Sequence, residues 1–195
     1  MKRPAPRKKR AKRTLPKKTV LPLKAAQNRA VRLVYVNPGD YSKTVAGLLK
    51  KLLKQKKNVI YISLTRPYAS LASTLQKEKI DVKKLFVIEC VSGPNCGAER
   101  GVCLESVQNL TSLSMAVAEA VKSSKSQNNF LVLDAVTSLS VYHDSETVSK
   151  FLYHLVNKIR ILDIEGFLLS YGNDLDPLVE EFLNAYLESA LDLRN

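Results

Sequence analysis

The residues with the clearest chemical potential in this sequence are Lys43 and Thr44, at the end of the segment 37–44, Asn-Pro-Gly-Asp-Tyr-Ser-Lys-Thr. This segment has the length and the ending of a phosphate-binding loop that precedes a helix. In such a loop the lysine reaches the terminal phosphates, the threonine holds magnesium and successive backbone amides wrap the phosphates. The pattern therefore indicates nucleotide-binding chemistry here.

The loop departs from the pattern G-x-x-x-x-G-K-[ST] at both glycines, because Asn37 stands at the first and Ser42 at the second. Asparagine tolerates left-handed backbone geometry, whereas serine does so much less readily. Asp40 adds a carboxylate where a phosphate would approach, which opposes anion binding. The alternative is a plain strand-to-helix turn, with Lys43 solvated or paired to Asp134. The predicted vestigial nucleotide site takes Asn37, Gly39, Ser42, Lys43 and Thr44 from this loop, and the family resemblance described below adds Asp134 as the sixth residue.

The positive charge of the chain is concentrated at its beginning. Residues 1–24, hereafter the basic arm, hold 11 of the 31 lysines and arginines and none of the 18 acids. The arm therefore carries +11, and residues 25–195, with 20 basic and 18 acidic residues, carry only +2. The arm also contains four of the eight prolines and shows no apolar periodicity. Self-repulsion and the lack of apolar burial predict that the arm alone is disordered or extended.

Such an arm gains free energy chiefly by displacing counterions from a polyphosphate, so nucleic acid is the expected partner. The sequence leaves DNA and RNA equally open and implies no direct readout of bases. A solubilising extension, a tether to an anionic membrane and a nuclear address are the alternatives. The cations expected to bind nucleic acid are Lys2, Arg3, Arg7, Lys8, Lys9, Arg10, Lys12, Arg13, Lys17 and Lys18.

Length and composition indicate one globular domain in addition to the arm. The chain has 195 residues, 45% of them hydrophobic, which is enough apolar material for one core. No run approaches 18 apolar residues and the start lacks the apolar stretch of a secretory signal, so no membrane span or export is expected. Three cysteines are an odd number in a chain large enough to fold without disulfides, which argues against a disulfide framework, and the lack of a C-x-x-C pair argues against a zinc site. The expected location is cytoplasmic, with association to nucleoid or ribosome left open.

Short apolar strands alternate with helical patterns along residues 25–195. This order predicts an α/β domain of three layers, a mainly parallel sheet of about five strands flanked by helices. In such folds ligands lie beyond the carboxyl ends of the strands. The predicted strands are 32–36, 58–64, 85–89, 129–134 and 166–170. The predicted helices include 67–79, 105–122, 145–162 and 177–191, after a first helix that follows the loop.

With this loop, this order and an acid ending the fourth predicted strand, residues 30–192 resemble the RecA/KaiC-type P-loop ATPases. The nearest type is the small single-domain archaeal KaiC-like protein. Segments 58–68, 84–91 and 130–139 also carry the resemblance. It implies a RecA-like fold, with Lys43 and Thr44 as the Walker A pair and Asp134 as the Walker B acid that positions magnesium through water.

The resemblance also identifies a departure that bears on catalysis. Members that hydrolyse ATP carry a glutamate just past the second strand to activate water, and here that place reads Thr65-Arg66. A guanidinium stays charged and accepts no proton, so Arg66 cannot serve as this general base. We therefore expect a pseudo-ATPase that does not hydrolyse ATP, and no bound cofactor. ATP with magnesium remains the alternative.

Together these features predict a nucleotide-independent scaffold that carries a basic arm onto DNA or RNA, within a nucleoprotein particle or a homo-oligomer. Two alternatives stay open. In one, Lys43, Thr44 and Asp134 hold Mg-nucleotide without turnover and act as a regulatory switch. In the other, a partner subunit supplies the missing groups of an ATPase of recombination or regulatory type.

A second group of cations lies near the end of the first predicted helix. It comprises Lys50, Lys51, Lys54, Lys56 and Lys57. Cations at this position suit the helix dipole, and they can equally extend the binding surface of the basic arm. The two interpretations are compatible.

Overall fold

The computed structural model describes residues 30–91, 97, 100–124, 126 and 128–194, so the basic arm lies outside the described residues. The strands are β1 (Val31–Val36), β2 (Asn58–Ser63), β3 (Phe86–Glu89), β4 (Gly101–Cys103), β5 (Asn129–Asp134), β6 (Glu165–Tyr171) and β7 (Ser189–Leu193). The helices are α1 (Tyr41–Lys54), α2 (Tyr68–Lys77), α3 (Leu110–Ser123), α4 (Ser145–Ile161) and α5 (Pro177–Tyr186). Short 3-10 turns span Pro38–Asp40, Val82–Lys84 and Val136–Val141.

The seven strands form one sheet in the order β4-β3-β2-β5-β6-β1-β7. Each strand pairing among the described residues is parallel. The central strands are apolar and buried along nearly their whole length, because helices cover both faces of the sheet. The predicted α/β class with a mainly parallel sheet flanked by helices is confirmed. The strand count was wrong, since the described residues form seven strands rather than about five.

The two additional strands are the edge strands, β4 and β7. β4 has only three residues, Gly-Val-Cys, so its sequence contains no apolar run from which a strand could be predicted. β7 lies partly inside the region predicted as the end of the last helix, 177–191. The helix ends at Tyr186 instead, because pairing β7 with β1 satisfies the backbone of both strands.

Two groups of helices pack on opposite faces of the sheet. α1 and α2 cover one face, where Leu49 and Leu71 belong to the same buried apolar cluster as Phe167 of β6. α3, α4 and α5 cover the other face, where Leu152 and Leu183 belong to the second apolar core. The sheet is therefore the middle of three layers, as predicted.

Parallel strands give the sheet two distinct ends, here named the amino edge and the carboxyl edge after the strand ends. Each helix that links parallel strands must return the chain, so its carboxyl end lies at the amino edge. The chain enters β1 at the amino edge, where the carbonyl of Ala30 accepts a hydrogen bond from the amide of Gly166 at 3.3 Å. The loops that could hold chemistry lie at the opposite, carboxyl edge.

Two further findings concern membranes and thiols. Among the described residues, every helix is too short or too polar to cross a bilayer. Cys90 is a buried free cysteine, and burial raises the pKa of its thiol to about 12. Cys103 is disulfide-bonded, although the number of cysteines argued against a disulfide framework.

Candidate functional site

A buried carboxylate lies at the carboxyl edge and organises the polar residues around it. Asp134 ends β5 and is 2% exposed. Its Oδ1 accepts a hydrogen bond from the hydroxyl of Tyr41, and its Oδ2 accepts one from the hydroxyl of Tyr61. Arg66 also donates to Oδ2, at 2.5 Å. These four residues are hereafter the Asp134 cluster. The peptide bond that follows Asp134 is cis.

The sheet register explains why Tyr61 meets Asp134. β2 pairs with β5 so that Tyr61 lies opposite Val132, and residues two apart on a strand share a face. Tyr61 and Asp134 are therefore diagonal neighbours on the face covered by α1 and α2, within reach of a long aromatic side chain.

The other two donors come from the chain segments next to the sheet. Tyr41 is the first residue of α1 and is buried against the sheet, with its ring stacked on Tyr171 at a centroid distance of 4.0 Å. Arg66 lies in the loop after β2, whose shape is held by Ser63, since its hydroxyl donates to the Arg66 carbonyl at 2.7 Å. The cluster thus joins α1, β2, β5 and the loop after β2.

The electrostatics of the cluster keep its donors protonated. Burial, followed by the charge of Asp134, raises the pKa of both Tyr41 and Tyr61 well above the usual phenol value. Burial alone would lower the pKa of Arg66, but the neighbouring carboxylate of Asp134 offsets this and the net pKa is raised. The cluster therefore combines a cation, two phenols and one carboxylate, and both oxygens of that carboxylate already accept hydrogen bonds from the other three side chains.

The turn before α1 uses its backbone amides internally. The side chain of Asn37 accepts from the amide of Gly39 at 3.0 Å, and its carbonyl accepts from the amide of Asp40 at 3.2 Å. The amide of Tyr41 donates to the carbonyl of Pro38. A phosphate cradle needs successive amides that point at the anion, and these three amides already have acceptors inside the turn.

The structure places the remaining predicted nucleotide residues on the first turn of α1. Ser42 and Lys43 are exposed, and Thr44 is half-buried. The cation beside Asp134 is Arg66, so the structure does not bring Lys43 together with that carboxylate. The six residues predicted as one site are thus divided between an exposed helix start and a buried carboxylate.

The residues present do not fit a magnesium–nucleotide complex. Both oxygens of Asp134 already accept hydrogen bonds, one of them from a guanidinium cation that would repel a metal ion. The described residues also contain no group of three or more histidines, cysteines or acids suited to hold a metal. The arrangement acts instead as a polar connection that fixes the start of α1 against the sheet.

Sequence reasoning identified Asp134 but missed Tyr41 and Tyr61 as its partners. Tyr61 lies in an apolar strand, where it resembles an ordinary core residue. The available signal was its hydroxyl, because a fully buried tyrosine usually needs a hydrogen-bond partner. An acid at the end of a neighbouring buried strand could supply that partner.

The ten cations predicted to contact nucleic acid belong to the basic arm and lie outside the described residues. The described residues begin at Ala30, whose carbonyl accepts a hydrogen bond from the amide of Gly166 at the amino edge. The chain matches no protein-family model and no curated protein, so the resemblance to RecA/KaiC-type ATPases stays a prediction.

Proposed function

We propose that this protein binds nucleic acid through its basic arm, and that the α/β domain is a scaffold that does not hydrolyse ATP. The observation that carries the proposal is the separation of charge along the chain. The arm has eleven basic residues and no acid, whereas the rest of the chain is nearly balanced. A polyphosphate is the partner that such a segment binds most favourably, because each phosphate neutralised releases condensed counterions.

The Asp134 cluster supports the second half of the proposal. An ATPase site must present a metal-binding carboxylate and phosphate-binding amides to its ligand. In this protein the carboxylate of Asp134 faces two phenols and a guanidinium, and the amides before α1 are bonded within their turn. Arg66 also occupies the position at which the resembling enzymes carry their general base.

The binding mode follows from the chemistry of the arm. Lysine and arginine side chains would contact phosphates, while prolines keep the chain extended enough to follow a groove. Such contacts give affinity without base specificity, so the proposed function covers DNA and RNA alike. The folded domain would then hold the arm within a larger nucleoprotein assembly.

The test compares the full-length protein with a variant whose arm lysines and arginines are replaced by glutamine. Fluorescence anisotropy would follow binding to a labelled duplex DNA and a labelled RNA over a series of salt concentrations. We expect the variant to lose affinity and to show a flatter dependence of log K on log salt concentration.

A shuffled arm of identical composition is the matched control, and it should bind as the parent does, because phosphate contacts carry no sequence information. Unchanged affinity and salt dependence after neutralisation of the arm would reject the proposed function.

A further inference from the structure

The folded domain carries its own strongly basic surface at the amino edge. The surface is formed by the end of α1 with the residues after it, 50–57, and by the end of α2 with the 3-10 turn before β3, 77–84. It contains nine lysines, hereafter the basic rim: Lys50, Lys51, Lys54, Lys56, Lys57, Lys77, Lys79, Lys83 and Lys84.

The two segments are neighbours in the structure. α1 and α2 pack on the same face of the sheet, and the Nζ atom of Lys50 lies 3.7 Å from a carboxylate oxygen of Glu78. The connection after α1 is fixed by Asn128, whose side-chain amide donates to the carbonyl of Lys56 at 3.2 Å. The basic rim is therefore a surface held by tertiary structure and not a flexible tract.

The charge of these two segments exceeds that of the whole domain, although Lys57 pairs with Glu165 of β6 at 2.5 Å. Segments 50–57 and 77–84 hold nine lysines and two acids, a net charge of +7, whereas residues 25–195 carry only +2. The rest of those residues must then carry −5. Both acids of the rim already have partners, since Glu78 pairs with Lys50 and Asp81 accepts from the backbone amide of Lys83 at 3.0 Å.

Two lysines of the basic rim occupy backbone positions that favour glycine. Lys56 and Lys79 have φ angles of 58° and 59°, the left-handed region that favours glycine after a helix. Asp163 has the same geometry after α4, with φ 55°, so the conformation itself does not require a lysine. Both helix ends of the basic rim thus carry a cation where glycine would fit the backbone better.

The helix dipole favours cations at the carboxyl ends of α1 and α2, but it does not explain how many lysines of the basic rim have no acidic partner. α4 also ends with cations, yet Lys158 donates to Ser114 and Arg160 pairs with Glu188. Six exposed lysines of the basic rim form no ion pair within the part of the chain that the structure describes. They are Lys51, Lys54, Lys56, Lys77, Lys79 and Lys84.

We propose that the basic rim binds the phosphate backbone of the same nucleic acid that the basic arm binds. The inference rests on the proposed function, and the point of entry of the chain supports it. Ala30, which directly follows the segment leading from the arm, lies at the amino edge with the basic rim. One nucleic acid can therefore contact the arm and the rim together, which makes the second contact intramolecular and raises the overall affinity.

The experiment replaces Lys56 and Lys79 by glycine in the full-length protein. These substitutions remove two charges and relieve two left-handed residues, so the melting temperature should stay at or above that of the parent. Binding to a mixed-sequence duplex DNA should weaken. The plot of log K against log salt concentration should become less steep by about two units if each lysine neutralises one phosphate. Asp163→Gly is the matched control, because it relieves the same geometry without removing a cation, and its binding should not be weaker than the parent's.

The double glycine variant tests the basic rim separately from the basic arm. Weaker binding of the Lys56→Gly/Lys79→Gly protein shows that the basic rim contacts nucleic acid even if neutralising the arm has no effect; in that case the arm's proposed function and the joint binding fail, while the contact by the rim stands. Unchanged nucleic-acid binding by the double variant overturns the proposed binding by the basic rim, whatever the effect of neutralising the arm. An effect confined to vesicles of anionic lipid, with nucleic-acid binding unchanged, also overturns it.

Discussion

The guanidinium of Arg66 lies 2.5 Å from the carboxylate of Asp134, in a position where α1, β2 and β5 meet. Because Asp134 is almost fully buried, its carboxylate is solvated by this cation and by the hydroxyls of Tyr41 and Tyr61 in place of water. The carboxyl edge of the sheet therefore contains a structural ion pair where the resemblance to P-loop ATPases implied a metal-binding acid.

Loss of Arg66 should destabilise the protein strongly. We expect Arg66→Met to lower the free energy of unfolding by about 3 kcal/mol, because it leaves a buried carboxylate without its cation. Urea denaturation would measure the change. The control is Lys43→Met, an exposed cation on the first turn of α1, which should change stability by no more than about 0.5 kcal/mol. Equal effects of the two substitutions would contradict the assignment of Arg66 as the partner of Asp134.

The two phenol hydroxyls of the Asp134 cluster should each contribute to stability. Tyr41→Phe and Tyr61→Phe keep the rings but remove a donor to a charged acceptor, which costs about 1.5–3 kcal/mol. Tyr171→Phe is the control, since Tyr171 stacks on Tyr41 and the substitution preserves the ring. Denaturation curves in which all three variants match the parent would show that the hydroxyl contacts with Asp134 are not formed in solution.

The sequence predicted the layers of the fold better than its edges. Strands β1, β2, β5 and β6 are buried apolar runs, and their pattern identifies them without tertiary context. β7 is different, because its residues alternate between half-buried and exposed and follow directly on a helix. Its conformation depends on pairing with β1, and no local pattern contains that information.

In the candidate site too, the sequence predicted the local structure but not the contacts between distant segments. The ends of the strands and the turn at residues 37–40 were predictable, so Asp134 could be placed at the carboxyl edge. The partners of Asp134 were not predictable, because they depend on strand register and on the position of α1 above the sheet. Arg66 was recognised as an unusual residue, but its contact with Asp134 needed the folded structure.

The Asp134 cluster should make stability fall at alkaline pH. Burial raises the pKa of Tyr41 above its ordinary value of 10.0, so the folded state keeps a proton that the unfolded state loses above that pH. The contribution of the Tyr41 hydroxyl to the free energy of unfolding is therefore complete below pH 10. Above pH 10 it decreases by about 1.4 kcal/mol per pH unit. The difference in stability between the parent and Tyr41→Phe should therefore narrow as pH rises. A difference that stays constant from neutral to strongly alkaline pH would contradict this.

Two glycines should respond in opposite ways to alanine. Gly47 lies within α1 with no neighbour near an added Cβ, so Gly47→Ala should stabilise the protein by about 1 kcal/mol. A Cβ on Gly101 would lie 1.9 Å from the carbonyl oxygen of Val87, so Gly101→Ala must displace β4 from β3. We expect it to cost about 1–3 kcal/mol.

Urea denaturation would measure both glycine variants. Faster hydrogen exchange of the Val87 amide, which donates to the Arg100 carbonyl at 3.0 Å, would locate the effect of Gly101→Ala at the sheet edge. An unchanged stability for Gly101→Ala would mean that β4 is not paired in solution.

Magnesium and ATP should leave the thermal stability of the protein unchanged. A ligand at about 100 times its dissociation constant stabilises the folded state by about 2.7 kcal/mol, so a functional site would give a clear rise in melting temperature. We expect no rise, because the amides of Gly39, Asp40 and Tyr41 have internal acceptors and Asp134 is bonded to Arg66. A rise that disappears in Lys43→Ala would instead favour the nucleotide-binding switch. Phosphate release above that of Lys43→Ala in the presence of nucleic acid would favour an active ATPase.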